Sequence, residues 1–107
     1  MSKDYKAIIS IVDNNLTETI LEKIEEEHGI TKSTVILARG RSDKDGEFFG
    51  LKVEPERECV MTLVKEESSK QVIETIETYG KLKEPGQGIV FSLSLEHVGG
   101  LLPAHME

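Results

Sequence analysis

Apolar positions along the chain alternate between strand-like and helix-like spacing. Residues 6–12 are crowded with β-branched side chains and stop at Asp13-Asn14-Asn15, which predicts a strand and then a turn. Asn14 or Asn15 is placed to N-cap a helix beginning just after the turn. Leu16, Ile20, Leu21 and Ile24 recur at helical spacing with glutamates between them, and Gly29 ends a helix of roughly 12 residues. Residues 34–38 are continuously apolar, as in a strand buried on both faces. Residues 40–50 are polar and glycine-rich without periodicity, which predicts a loop. A third strand is expected over residues 58–64. Val72, Ile73, Ile76 and Tyr79 restore the helical spacing up to Gly80, and residues 88–95 form a last strand.

The resulting order, β-α-β-β-α-β, is the split βαβ or ferredoxin-like arrangement: an α+β fold with a four-stranded antiparallel sheet and both helices on one face. Ile8, Ser10 and Val12 point one way along the first strand and Ile9 and Ile11 the other, so neither sheet face is polar. Two helices cover one face only. The other predicts a partner subunit, and hence an oligomer.

With 107 residues the chain is one domain, residues 1–107. The net charge of −7 argues against a nucleic-acid partner and against adsorption to an anionic membrane. No apolar run approaches the roughly 20 residues of a membrane-spanning helix, so direct membrane insertion is not expected. Cys59 is the single cysteine and precludes an internal disulfide. A cytoplasmic protein is the expectation, with Cys59 as a core thiol.

Pro85-Gly86-Gln87-Gly88 carries the chain into the last strand. Pro85 presets φ and Gly86 accepts φ > 0, which suits the central positions of a type II turn. Gly88 lacks a Cβ, so its backbone can approach another molecule closely, and the amides of such a loop can cradle an anion. A branched Cβ at Gly88 is expected to block that approach.

Three pieces, in this order, give the chain its resemblance. They are Ala7-Ile8-Ile9, Gly29-Ile30-Thr31 leading into Thr34-Val35, and Gly86-Gln87-Gly88-Ile89-Val90-Phe91. The last is similar to the Gly-Asp-Gly-Lys-Ile-Phe of the PII nitrogen-regulatory signalling proteins, which the chain resembles over residues 5–102. The resemblance implies a homotrimer with inward-facing sheets. It implies a small-molecule effector, an adenine nucleotide, bound in clefts between subunits, and a transporter or enzyme partner regulated through a loop after the second strand. Thr34 matches the threonine beside the adenine, and Gly86, Gln87 and Gly88 match the phosphate-holding loop. With Gly40, Arg41 and Lys83 they form the nucleotide-binding set. The match is incomplete. Ile89 stands where the family has a lysine, Gly100 and Leu102 where it has arginines, and Met61 where it has a glutamate. Each charge-assisted hydrogen bond contributes roughly 1.5–3 kcal/mol. Losing the three cationic contacts removes much of the usual grip on a triphosphate, so a ligand with fewer phosphates, or none, stands level with ATP, and a trimer that has lost nucleotide binding altogether stays open.

The effector-type loop, residues 41–56, has no tyrosine, which argues against regulation by uridylylation there. It holds Phe48 and Phe49, two of the chain's three phenylalanines, as a hairpin extension over the sheet or as an anchor for a partner protein. His28 suits the dipole at a helix C-terminus. His97 and His105 have no companions at metal-ligand spacing, and no nucleophile or acid–base set suggests an enzyme. Two other readings remain open. One is a metal-binding or structural trimer of the divalent-cation-tolerance type, against which the scarcity of Cys and His counts. The other is an ACT-type amino-acid-binding module, against which the Pro-Gly-Gln-Gly turn counts.

Overall fold

The alternating spacing folds into two interleaved β-α-β units. The computed structural model describes residues 4–39, 47–48, 51–52 and 56–100. In chain order the elements are β1 (Tyr5–Asp13), α1 (Thr17–His28), β2 (Thr34–Arg39), β3 (Glu47–Phe48), β4 (Leu51–Lys52), β5 (Glu56–Lys65), α2 (Glu66–Tyr79) and β6 (Ile89–Ser94). The main sheet has the order β2-β5-β1-β6, and each adjacent pair is antiparallel. β1 and β2 are therefore parallel with β5 inserted between them, and β5 and β6 are parallel with β1 inserted. This is the expected ferredoxin-like βαββαβ fold. Within the segment read as loop, β3 and β4 form a short ladder of their own, with Phe48 opposite Leu51.

Alternation along the central strands decides which face the helices take. Ile8, Ser10 and Val12 of β1 and Val60, Thr62 and Val64 of β5 are buried. They meet Ile20 and Ile24 of α1 and Val72 and Ile76 of α2 in one core. Ser10 is admitted there because its hydroxyl donates to the Val60 carbonyl at 3.4 Å.

The helix ends obey backbone chemistry, with one departure from the sequence expectation. Gly29, at φ 70°, sends its own amide and that of Ile30 back to the carbonyls of Glu25 and Ile24. The N-cap position of α1 is Leu16, which has no capping side chain. Neither asparagine caps the helix. Asp13 takes the turn instead, accepting from the Asn15 amide at 2.8 Å, while Asn14 Nδ2 donates to the Glu56 carboxylate at 2.8 Å. A short-range preference has yielded to a bond between the β1–α1 turn and the start of β5.

The face away from the helices is apolar and bare. The register sets out its rows: Ile36, Cys59, Ile11 and Ile89, then Thr34, Met61, Ile9 and Phe91, then Leu63, Ala7 and Leu93. Ile89 is 53% exposed and Leu93 49%. Cys59 belongs to this face and is half-buried, so the expectation of a core thiol is corrected. The β5 run is apolar on both sides, and its neighbours alone do not reveal which side meets the helices. Among the described residues no helix is long and apolar enough to cross a membrane.

Candidate functional site

The connection from α2 to β6 is a series of tight turns. The Leu82 amide reaches the Glu77 carbonyl at 3.0 Å, and the Glu84 amide reaches the Lys81 carbonyl at 3.1 Å. The Gln87 amide then closes onto the Glu84 carbonyl at 3.3 Å with Gly86 at φ 77°, the expected type II turn with Pro85 leading. Lys83 is exposed on this connection and Gln87 half-buried.

Gly88 has a reason to be glycine that the sequence did not disclose. Its φ is 143°, and a Cβ built on it would lie 2.0 Å from the carbonyl oxygen of Ile11. The missing side chain admits β1 of the same chain, and room for a ligand is not required to explain it. Gly86 is different: nothing lies within 4 Å of the Cβ it would carry, and its demand is conformational alone.

Sequence reasoning missed Arg57. It is the second residue of β5, opposite Asp13 of β1, and shares the bare face with Cys59 and Met61. Its guanidinium donates through one nitrogen to the Gln87 carbonyl and through the other to that of Gly86. A fork of two donors suits two successive carbonyls, which a lysine matches poorly. The signal was absent because the partners are backbone atoms 29 and 30 residues away. Only the strand order, which sets Arg57 across the end of β1 from the turn, brings them together.

Thr34 lies elsewhere. It begins β2 opposite Met61, beside a cavity of about 610 Å³ lined by Ile30, Lys32, Thr34, Met61, Leu63 and Lys65 among others. Ser33 and Thr62, their hydroxyls 2.7 Å apart, fix the strand start that forms its wall. β2 and β6 are opposite edges of the sheet, with β5 and β1 between them. Three strand spacings amount to about 14 Å. Thr34 and the Gly86–Gly88 turn are therefore not brought together within one chain. Gly40, Arg41 and Phe49 lie outside the described residues. Phe48 is placed by its backbone in the β3–β4 ladder.

The histidines gather no site of their own among the described residues. His28 Nε2 lies 2.8 Å from the Thr75 hydroxyl, which also faces Glu27 Oε1 at 3.0 Å and the Gln71 carbonyl at 3.1 Å; this joins the two helices. His97 is exposed beside Glu96. Lys23, 3.4 Å from the Glu26 carboxylate and 5.3 Å from the centre of the Tyr79 ring, is held above the usual lysine range chiefly by the Glu26 charge. Among the described residues no group of three or more His, Cys, Asp or Glu side chains is gathered as metal ligands would be.

Comparison with known proteins bears on this arrangement. The model of the family "Nitrogen regulatory protein P-II" matches residues 5–103. A search of curated protein sequences gave no match. Among solved structures, the crystal structure of Arabidopsis thaliana PII bound to citrate superposes with a TM-score of 0.69 at 20% identity. The superposition covers 87% of this chain and 76% of that one, a likeness of fold.

Proposed function

Because the chain belongs to the P-II nitrogen regulatory protein family, we propose that it is a regulatory signalling protein working as a homotrimer in the cytoplasm. In this reading it senses an anionic small molecule, an adenine nucleotide, in clefts shared by neighbouring subunits. One observation carries it: Thr34 with its cavity and the Gly86–Gly88 turn occupy opposite edge strands. Two half-sites on opposite edges of one chain become a whole site when a neighbour's turn faces this chain's Thr34, and a ring of copies repeats that contact. The bare apolar face gives the copies a reason to assemble.

The ligand's chemistry is set by the surroundings of the turn. Lys81 and Lys83 are exposed on the same connection and supply positive charge. Ile89, 53% exposed at the start of β6, adds none. The site is thus suited to a ligand held by its base and a short phosphate chain. Calorimetric titration of the protein with ATP, ADP, AMP, cyclic AMP and divalent metals tests this. The expected result is that AMP or ADP binds at least as tightly as ATP. Absence of heat from every adenine nucleotide at millimolar concentration would remove the sensing reading, and heat from a metal alone would favour a metal-binding trimer.

Binding is proposed to change how the segment of residues 41–56, with Gly40 at its start and Arg41, Phe48 and Phe49 within it, engages a partner, a transporter or an enzyme. A ligand does this only through different affinities for two states of the segment. Replacing both phenylalanines with serine is expected to leave the assembly's mass by light scattering unchanged, as befits a contact surface for another protein. Loss of the assembly would assign them to the fold.

A further inference from the structure

We infer that Arg57 is a positioning residue that couples the Gly86–Gly88 turn to the point where β5 begins. Four hydrogen bonds meet there. The Arg57 guanidinium binds the Gly86 and Gln87 carbonyls. One residue earlier, the Glu56 carbonyl accepts from the Asn14 amide at 3.3 Å, and the Glu56 carboxylate accepts from Asn14 Nδ2 at 2.8 Å. Asp13, next to Asn14, is the register partner of Arg57 on β1. The start of β5 is thus tied on one side to the β1–α1 turn and on the other to the turn before β6.

The guanidinium also sets the direction of the peptide groups. A trans peptide is planar, so its N–H points opposite to its carbonyl. Drawing the Gln87 carbonyl to Arg57 turns the Gly88 N–H to the other side. The Gln87 N–H is already committed to Glu84. Arg57 therefore decides which way the free edge of the turn faces. Any displacement of those peptides must either break a bidentate, charge-assisted contact or pull the start of β5 with it. The inference rests on the proposed reading only in taking the turn as a wall of the ligand site; the coupling is a property of the chain itself.

The test uses the isotopically labelled full chain with no ligand added, which keeps it independent of nucleotide binding. In Arg57→Gln, exchange of the Gln87 amide is expected to quicken by roughly tenfold or more, the effect of losing the two charge-assisted hydrogen bonds that hold the turn's carbonyls. The Asn14 side-chain amide resonances are expected to move with it. Arg57→Lys should recover part of both, since an ammonium can serve one carbonyl but not the fork. The reciprocal variant, Gly86→Ala, strains the turn at positive φ without touching Arg57, and its shifts should reach Glu56 and Asn14. Should Arg57→Gln fail to fold, Gly86→Ala decides alone. Unchanged Gln87 exchange in Arg57→Gln, or Gly86→Ala shifts confined to residues 81–88, overturns the coupling.

Discussion

Gly88→Val is expected to detach β6 from the sheet and lower stability by at least about 3 kcal/mol. The added Cβ would begin 2.0 Å from the Ile11 carbonyl oxygen, a backbone atom fixed within the central strand β1. A valine also tolerates φ of 143° poorly. The conflict is relieved only by moving one strand away from the other, and six consecutive residues of β1 pair with β6 from this point on. Urea unfolding gives the loss directly, and amide exchange should show it centred on residues 6–11 and 89–94. The same variant therefore cannot serve as a clean probe of ligand approach. If it unfolds at the wild-type urea midpoint, the reading of Gly88 as a strand-packing glycine fails.

The second large effect concerns the bare face. Ile9 sits at its centre, between Met61 on β5 and Phe91 on β6. In the single chain a lysine there would extend into water. In the proposed trimer each copy would bring an unpaired ammonium into an apolar interior, at several kcal/mol per ion. Ile9→Lys is expected to change the mass by light scattering from three times the chain mass of 11.9 kDa to one. The melting temperature should then lose its dependence on protein concentration. Cys59, in the adjoining row, offers an internal check: its thiol should react slowly with a soluble disulfide reagent in the native assembly and quickly in the variant. A native protein that already scatters as a single chain would end the trimer proposal.

These expectations show where the sequence was readable. The strands and helices were legible because their signals are local: β-branched runs for β1 and β5, a repeat of Leu16, Ile20 and Ile24 for α1, and Gly29 and Gly80 as stops. The type II turn was legible from Pro85 and Gly86 for the same reason. What failed depended on contacts distant in sequence. Asn14 had the chemistry of a cap but was drawn to Glu56. Cys59 was assigned to the core but lies on the bare face, a choice that β5, apolar on both sides, does not reveal. Gly88 was a glycine for the sake of Ile11, 77 residues earlier in the chain. Arg57 carried no signal in the sequence, because only the order β2-β5-β1-β6 sets it beside the turn.

The placement of Thr34 and the turn at opposite edges has a consequence for how such a chain would behave in a cell. If each whole site needs two copies, recognition and assembly are one equilibrium. The ligand strengthens the ring, and the ring creates the affinity. Diluting the chain below its association range would raise the ligand level needed for a response, and raising its abundance would lower it without altering one residue. A damaged copy would also be felt beyond itself, since each member of the ring lends one edge to each of two clefts. The protein would report on a product of two concentrations, its own and its effector's.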